Sequence, residues 1–266
     1  MNPHRRKLIR HSLCAVVLIA AVARAGQLQV NLSVDATDVT RKIVHATESI
    51  PVSSGPLTLI YPQWIPGEHG PTGPVADVAG LKITANGTPL SWRRDLTNMF
   101  AIHLEVPEKA NSVDVALDFL LPPQQEGFSS GSSSSAQLAV ISWNQIVLYP
   151  ENAKPDDISV NAALTVPAGW KFGTALRVRT QQDNAIQFEP VSLTMLVDSP
   201  VLTGAHVRRI DLTPANGVPH AIDLAGDSEE ALDMTQDQIA AYKRLVTEAL
   251  ALFGADTTTI TIFSSP

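Results

Sequence analysis

The sequence contains a single cysteine, Cys14, in a chain of 266 residues. Cys14 lies in an apolar run near the start, so the rest of the chain has no thiol to form a disulfide or to act as a catalytic nucleophile. A fold without disulfides must be stabilised by burial alone. A domain of this size can bury roughly 70% of its unfolded surface, which is enough to stabilise a fold without disulfides.

Basic residues are also scarce once the first 25 residues are set aside. That segment contains five of the 19 lysines and arginines and none of the 26 acidic residues, so residues 26–266 carry a formal net charge of −12. They have no basic cluster. A surface of this sign is a poor partner for nucleic acid or for an anionic membrane, and neither is expected as a partner.

The local motifs of the common catalytic sites are absent from the sequence. A helical zinc peptidase site requires H-E-x-x-H, and the chain contains neither this motif nor G-x-S-x-G, a Walker A loop or G-x-G-x-x-G. We therefore expect no catalytic residue, no metal ligand and no cofactor in this chain. The seven histidines, none of which forms a helical pair with spacing four, are His4, His11, His45, His69, His103, His206 and His220.

The first 25 residues have the pattern of a secretory signal peptide. A basic start that includes Arg5 and Arg6 precedes the apolar run Leu13–Val22, and Ala23-Arg24-Ala25 supplies a small-x-small cleavage site. The apolar run is too short to span a membrane. We predict export to the periplasm or the extracellular space, with no membrane contact after cleavage.

Short apolar or alternating stretches recur from Gln27 to about Leu224 and are separated by turn residues. They are rich in valine, isoleucine and leucine, which is typical of antiparallel sheets. Asn86-Gly87 is the strongest hairpin signal, and Pro167–Gly169 and Gln182–Asn184 are also predicted to be turns. We predict a mainly β fold, an antiparallel β-sandwich or set of sheets over residues 26–227. The predicted strands are Gln27–Val34, Leu57–Tyr61, Leu81–Ala85, Phe100–Val106, Val113–Leu121, Gln137–Tyr149, Ser159–Val166, Ala185–Phe188, Leu193–Val197 and Val207–Leu212.

Two segments depart from the strand pattern. Gln124–Ala136 is rich in serine and is predicted to be a loop. One C-terminal α-helix is predicted after the β region, where Thr235 and Gln238 form a capping box and Gly254, in the left-handed helical conformation, ends the helix. The predicted apolar face of the helix consists of Ile239, Tyr242, Val246, Ala249, Leu250 and Phe253.

Two further segments contain unusual polar residues. In Tyr61–Pro74, prolines and glycines restrict the backbone around Trp64, Glu68 and His69. A Glu-His pair could take part in acid–base or metal chemistry, but without a third ligand or a nucleophile we favour a structural role. Asn144 lies in an apolar segment and could present its amide to a peptide. We favour a bulge or turn that buries its neighbours.

The segment Y-P-Q-W-I-P-G-E-H-G-P-T-G-P, residues 61–74, resembles the N-terminal domain of the glycyl aminopeptidase family of zinc metallopeptidases. W-N-Q-I-V-L-Y-P at residues 143–150 and L-V-D-S-P-V at residues 196–201 resemble later family motifs, and the similarity extends over Gln27–Ala255. The resemblance implies a β domain beside a zinc-containing catalytic domain, which would be the partner of this chain and would hydrolyse N-terminal residues of a peptide substrate. The candidate contacts with that domain are Trp64, Glu68, His69, Asn144 and Asp198.

The resemblance divides the chain beyond the β domain. Residues 228–255 resemble the start of the catalytic region, whereas residues 256–266 do not continue the pattern. In another reading frame, permitted codons for this tail encode Tyr-His-His-Tyr-Asp-Phe-Leu-Leu, which is similar to the family's continuation. We interpret 256–266 as an out-of-frame tail of a fragment that ends before the catalytic domain. A genuine terminal strand of threonine and isoleucine is the alternative.

Three functions fit these observations. The first is a non-catalytic N-terminal domain of a secreted zinc aminopeptidase. The second is a free-standing secreted β-sandwich that binds a peptide or a carbohydrate, which should present clustered exposed aromatic residues. Aromatic residues are only 5% of the chain, and the four tryptophans are scattered. The third is an enzyme completed by a second chain.

Overall fold

The computed structural model describes residues 27–65, 69–122, 134–215 and 217–254, together with the backbone of residues 261–264. The predicted signal peptide, Glu68, most of the predicted loop Gln124–Ala136 and most of the tail 256–266 lie outside the described residues. The predictions made for them stay predictions.

The described residues form nineteen strands. The first ten are β1 (Leu28–Asp35), β2 (Ile43–Pro51), β3 (Gly55–Ile60), β4 (Val78–Ala85), β5 (Thr88–Pro89), β6 (Trp92–Arg94), β7 (Ala101–Val106), β8 (Ser112–Leu120), β9 (Leu138–Ile141) and β10 (Tyr149–Pro150). The other nine are β11 (Ile158–Thr165), β12 (Lys171–Gly173), β13 (Val178–Gln182), β14 (Ala185–Phe188), β15 (Val191–Ser192), β16 (Val201–Gly204), β17 (His206–Asp211), β18 (Ala221–Gly226) and β19 (Thr261–Ser264).

Helices are few in the described part of the chain. The α-helices are α1 (Leu193–Val197) and α2 (Gln236–Phe253). Short 3-10 turns occur at Val39–Arg41, Val75–Asp77, Trp143–Gln145, Pro155–Asp157 and Glu230–Leu232. The mainly β fold with one long C-terminal helix is therefore confirmed.

The largest sheet has nine strands in the order β13-β14-β11-β1-β2-β8-β4-β5, with β15 also paired to β11. Its pairings are antiparallel except that of β1 with β11, which is parallel. Burial alternates along these strands: in β1, for example, Val30, Leu32 and Val34 face inward and the residues between them are exposed. One face of this sheet therefore covers the core and the other faces water.

Three smaller sheets complete the β structure. A four-stranded antiparallel sheet has the order β10-β3-β7-β6, and a three-stranded antiparallel sheet has the order β12-β16-β9. The third sheet, β17-β18-β19, includes a parallel pair between Ala221–Leu224 and Thr261–Ser264.

The main hydrophobic core lies between the nine-stranded sheet and the smaller sheets. It joins inward residues of β1, β2 and β8 to those of β3 and β7, such as Leu59 and Ile102. Trp143 and Phe188 meet in this core edge to face, with ring centroids 5.9 Å apart. This arrangement of two apolar sheet faces is a β-sandwich, as predicted.

Helix α2 closes a second, smaller core against β17 and β18. The predicted capping box is confirmed, because Thr235 Oγ1 accepts from the backbone N–H of Gln238 and the Gln238 side chain accepts from the backbone N–H of Thr235. Val246 is the buried centre of the helix, and Ile239 and Leu250 pack beside it. These residues contact a cluster formed by Ile210, Leu212, Ile222, Leu224 and Leu232.

Three predicted turns are confirmed, and one helix end differs in detail. Asn86 and Gly87 both have positive φ and join β4 to β5, as a two-residue hairpin requires. Pro167–Gly169 and Gln182–Asn184 also form turns. Gly254 has φ 82° and ψ 158°, a positive-φ conformation that lies outside the left-handed helical region, and its N–H donates to the carbonyl of Leu250.

Two predicted strands were wrong. Leu193–Val197 is the helix α1, because Ser192 caps it: its hydroxyl accepts a hydrogen bond from the backbone N–H of Met195. Gln137–Tyr149 is not one strand. The chain leaves β9 after Ile141 and forms the 3-10 turn Trp143–Gln145 before β10. Asn144 thus lies in a turn, as predicted.

Candidate functional site

The segment Tyr61–Pro74 leaves the end of β3 and folds back on itself. The backbone N–H of Gly73 donates to the carbonyl oxygen of Gln63 at 3.0 Å. A Cβ atom on Gly73 would lie 2.0 Å from the carbonyl oxygen of Pro62, so only glycine permits this approach. Tyr61 is buried at the base of the loop, whereas the side chain of Trp64 is 63% exposed. His69 is exposed as well.

A second motif, Trp143–Leu148, is fixed in the core by side chains from elsewhere in the chain. The indole nitrogen Nε1 of Trp143 donates to the carbonyl oxygen of Ser199 at 2.9 Å. The hydroxyl of Tyr61 donates to the carbonyl oxygen of Gln145 at 3.0 Å. Burial raises the pKa of Tyr61, so the phenol keeps the proton that makes this bond. These bonds satisfy two carbonyl groups that have no partner within a sheet.

Glu48 provides the third anchor and is unusual because it lies inside the core. Its Oε2 accepts a hydrogen bond from the backbone N–H of Leu148 at 3.0 Å. Its Oε1 has no hydrogen-bond partner among the described residues. Desolvation raises the pKa of Glu48 to about 8, and the bond from Leu148 opposes this only in part. The side chain is therefore neutral in the folded domain at pH 7.

The third motif follows helix α1. Asp198 is exposed at the end of this helix, and its backbone N–H donates to the carbonyl of Thr194. The adjacent Ser199 is buried. Its carbonyl oxygen accepts from Trp143 and, at 3.4 Å, from the hydroxyl of Thr174. The motif therefore contributes a backbone acceptor to the core and an exposed carboxylate to the surface.

The structure does not bring the predicted site residues together as one chemical site. Asn144 is buried in its 3-10 turn, whereas Trp64, His69 and Asp198 are exposed, and Glu68 is not described. The structure instead joins the three motifs through Tyr61, Trp143 and Ser199. The hydroxyl of Tyr61 and the indole of Trp143 could have been proposed as donors from the sequence, because buried tyrosine and tryptophan require partners.

Exposed apolar side chains lie at the same end of the four-stranded sheet as the loop that carries Trp64. Ile60, the last residue of β3, pairs with Ala101, the first residue of β7. The backbone N–H of Tyr61 donates to the carbonyl of Phe100. The segment at Trp64 and the turn that contains Leu96 and Met99 therefore lie at the same end of the four-stranded sheet. We refer to exposed Trp64, Leu96 and Met99 as the loop-end surface.

The described residues contain no group of three histidine, cysteine, aspartate or glutamate side chains placed to hold a metal ion. The donor set that zinc requires in a peptidase is thus missing from this part of the chain. No helix within the described ranges is long and apolar enough to cross a membrane. Of the four tryptophans, Trp143 is buried, Trp92 and Trp170 pack partly against the core, and Trp64 is exposed, so they offer no aromatic cluster for a sugar or peptide.

Solved structures with this fold include zinc metallopeptidases. An aminopeptidase N family protein from Idiomarina loihiensis superposes with a TM-score of 0.72 and 16% identity over 89% of this chain. The M1 zinc metallopeptidase from Deinococcus radiodurans gives a TM-score of 0.50 and 11% identity over 90% of the chain. A variant of that enzyme has been solved with a Tyr-Ser-Ala substrate and gives a TM-score of 0.52. At identities this low, the similarity shows that these proteins share the fold, and it shows nothing further about this chain.

The present chain spans 39% of the Idiomarina protein and 56% of the Deinococcus enzyme. A comparison with curated proteins finds no match. The model of the Peptidase M61 N-terminal domain matches residues 31–205, which is well over half of the chain. The chain belongs to this family, as the sequence motifs predicted.

Proposed function

We propose that the β-sandwich is the non-catalytic N-terminal domain of a secreted zinc aminopeptidase that removes N-terminal residues from peptides. The family match over residues 31–205 carries this proposal. Two further observations support it. Structures with the same fold include an aminopeptidase N family protein and a zinc metallopeptidase, and the chain spans 39% of the first and 56% of the second.

In this proposal the loop-end surface contacts the catalytic domain. Trp64 follows Gln63, whose carbonyl accepts a hydrogen bond from Gly73 in a close approach that glycine permits, so we expect the backbone beside Trp64 to be restricted before any partner binds. Leu96 and Met99 add apolar area on the neighbouring turn. A preorganised aromatic side chain with apolar neighbours is typical of the centre of a protein interface. His69 and Asp198 are the proposed polar contacts.

Zinc belongs to the catalytic domain in this proposal. It would supply a Lewis acid and an activated water there. The described residues of this chain do not offer three ligands for it. Their proposed contribution is to fold, to be exported and to hold the partner domain.

A two-chain reconstitution tests the domain role. The catalytic region of an M61 peptidase would be produced as a separate chain and titrated with this protein, and binding and aminopeptidase activity would be measured together. We expect a complex that Trp64→Ala weakens at least roughly tenfold, as for an interface hot spot. Met195→Ala is the matched control, because Met195 is an exposed apolar residue on α1. No binding to several M61 catalytic regions, or equal losses in both variants, would argue against the proposed interface.

Export is a separate proposal and has a separate test. Cleavage after Ala25 would leave Gly26 as the first residue of the mature protein. Mass spectrometry of the protein from the periplasm or medium of the expressing cells should find this N-terminus. Recovery of the intact precursor from the cytosol alone would contradict the proposal.

A further inference from the structure

Three side chains on the outer face of the four-stranded sheet form a hydroxyl–imidazole–carboxylate chain. Thr58 on β3 and His103 on β7 lie directly opposite each other. The hydroxyl of Thr58 is 3.0 Å from Nδ1 of His103, and Nε2 of His103 is 2.8 Å from Oδ2 of Asp95. A nucleophile, a base and a carboxylate that orients the base occur in this order in acyl-transfer sites on unrelated folds, although there the nucleophile bonds Nε2 and the carboxylate bonds Nδ1, the reverse of the arrangement at His103.

The carboxylate of Asp95 is itself held in place by the turn that follows β6. Its Oδ1 accepts from the backbone N–H of Thr97 at 2.8 Å, from the Thr97 hydroxyl at 2.9 Å and from the backbone N–H of Asn98 at 2.9 Å. The other carboxylate oxygen of Asp95, Oδ2, bonds to the imidazole of His103. The bond to His103, followed by these turn bonds, holds the pKa of Asp95 well below its ordinary value. The group is therefore an acceptor at neutral pH.

The carboxylate of Asp95, which faces Nε2 of His103, determines the tautomer of the neutral imidazole. Because a carboxylate cannot donate, the ring hydrogen of His103 lies on Nε2 and the lone pair lies on Nδ1. The hydroxyl of Thr58 then donates to Nδ1. In this arrangement the imidazole can take the proton of Thr58 without any rearrangement.

Thr58 and His103 line a groove with a volume of about 440 Å³. Arg93 on β6 lies opposite His103 in the sheet register and lines the groove, as does Trp92. Arg93 is exposed and can place a cation beside a negative charge that develops above Thr58. The groove is of the size that binds a small acyl group with an aromatic leaving group.

We propose that Thr58, His103 and Asp95 form an acyl-transfer centre that hydrolyses small activated esters, an activity separate from the proposed domain role. The oxygen of Thr58 attacks the ester carbonyl while Nδ1 of His103 accepts its proton. The leaving group departs as an alcohol or phenol with that proton, and the acyl group stays on Thr58. Water then attacks the carbonyl carbon of the acyl group while Nδ1 of His103 accepts a proton from it. The bond between this carbon and the oxygen of Thr58 breaks, His103 returns the proton to that oxygen, and a carboxylic acid is released.

A second histidine–carboxylate pair supplies a matched control. Nδ1 of His45 is 2.7 Å from Oδ1 of Asp118 on the outer face of the nine-stranded sheet. Its Nε2 faces Asp38 at 3.5 Å rather than a hydroxyl. This imidazole has carboxylate partners but no nucleophile. His45 therefore serves as the control for ester hydrolysis by a surface histidine that has carboxylate partners but no neighbouring hydroxyl.

The test uses the purified full chain with p-nitrophenyl acetate, and peptide mass spectrometry locates the acetyl group. We expect a burst of nitrophenol and one acetyl group on Thr58. Thr58→Ala should abolish this adduct, and His103→Gln and Asp95→Asn should each lower the acylation rate at least roughly tenfold. Thr58→Ser should be acetylated at least as fast as the wild type, because its hydroxyl is less hindered. His45→Gln should leave the rate unchanged.

Three results would overturn the proposal: acetylation confined to lysines or the N-terminus, an unchanged rate in His103→Gln, or an equal loss in His45→Gln. Circular dichroism melting establishes whether each variant is folded. If Thr58→Ala does not fold, the acetylation site in Thr58→Ser and its dependence on His103 decide the matter. The assay needs no partner chain, so its outcome is independent of the reconstitution that tests the domain role.

Discussion

Nε1 of Trp143 lies 2.9 Å from the carbonyl oxygen of Ser199 and donates a hydrogen bond to it, and both residues are buried. The two residues belong to motifs that are 56 positions apart in the chain. The hydroxyl of Tyr61, from a third motif, bonds to the carbonyl of Gln145 beside Trp143. The motifs that identify the family thus meet inside the sandwich. Together these hydrogen bonds hold the buried segment between β9 and β10.

Replacement of Trp143 by phenylalanine should destabilise the domain. The variant loses the hydrogen bond to Ser199 and leaves a void in the core, which together should lower the free energy of unfolding by about 2–4 kcal/mol. Urea unfolding followed by circular dichroism measures the change. Trp64→Phe is the control and should stay within about 0.5 kcal/mol, because this side chain is mostly exposed. Equal effects in the two variants would contradict the buried anchor.

Glu48 should make the domain less stable as the pH rises. Its folded pKa of about 8 lies above the ordinary value of 4.5. Between these two values the unfolded chain loses the proton while the folded domain keeps it. Below pH 4.5 both states are protonated, and Glu48 does not lower the free energy of unfolding through its ionisation. The loss of unfolding free energy grows as the pH rises above 4.5 and levels off above pH 8.

Glu48→Gln should therefore abolish this part of the pH dependence. Relative to the wild type, the variant should gain unfolding free energy between about pH 5 and pH 8, by up to a few kcal/mol. Urea titrations at several pH values measure the difference. Glu189→Gln, at an exposed position, is the control. A difference between Glu48→Gln and the wild type that does not change with pH would show that Glu48 ionises normally in the folded domain.

Gly73→Ala should displace the loop that carries Trp64. The new methyl group would meet the carbonyl oxygen of Pro62 at 2.0 Å, so the backbone has to move, at a cost of about 1–3 kcal/mol. Gly70→Ala in the same loop is the matched control, because the nearest atom to its Cβ is Thr72 Cγ2 at 3.9 Å. Tryptophan fluorescence and urea unfolding should change in the first variant alone. If Gly73→Ala resembles the wild type, the loop closure at Gln63 is not required.

The C-terminal turn of α2 should exchange its amide hydrogens faster than the sheet. Leu252 and Phe253 are 76% and 82% exposed, whereas Ile239, Val246 and Leu250 pack on β17 and β18. A helix of this length depends on such packing for its stability. Hydrogen exchange with mass spectrometry should show protection that falls from Val246 towards Phe253. Protection at Phe253 equal to that in β8 would mean that this end of the helix is packed.

The sequence predicted the elements whose signals are local. Asn86-Gly87 specifies its turn because both positions need positive φ, and Thr235 with Gln238 specifies the start of α2 through the capping box. The strands with clear alternation were also predicted to within a few residues. Local chemistry of this kind does not depend on what the rest of the chain does.

The wrong and missing predictions concern elements and contacts that are determined by residues far apart in the chain. Leu193–Val197 is an apolar run that fits a strand or a buried helix, and a single cap at Ser192 makes it a helix. The strand β2 was not among those predicted, since an inward glutamate interrupts its apolar face. Nothing in the sequence marks Glu48 as buried, because its partner is a backbone N–H a hundred residues away. Likewise, Thr58, His103 and Asp95 become neighbours only through the sheet register.

The central proposal, that this chain is an N-terminal domain and that the zinc belongs to the catalytic domain, is tested most directly by metal analysis and a peptidase assay on the purified chain. After dialysis, we expect no stoichiometric zinc and no release of p-nitroaniline from glycyl or alanyl p-nitroanilide. Three protein ligands in one geometry are needed to retain catalytic zinc. One equivalent of zinc that survives dialysis, is lost in His69→Ala and accompanies aminopeptidase activity would contradict the account.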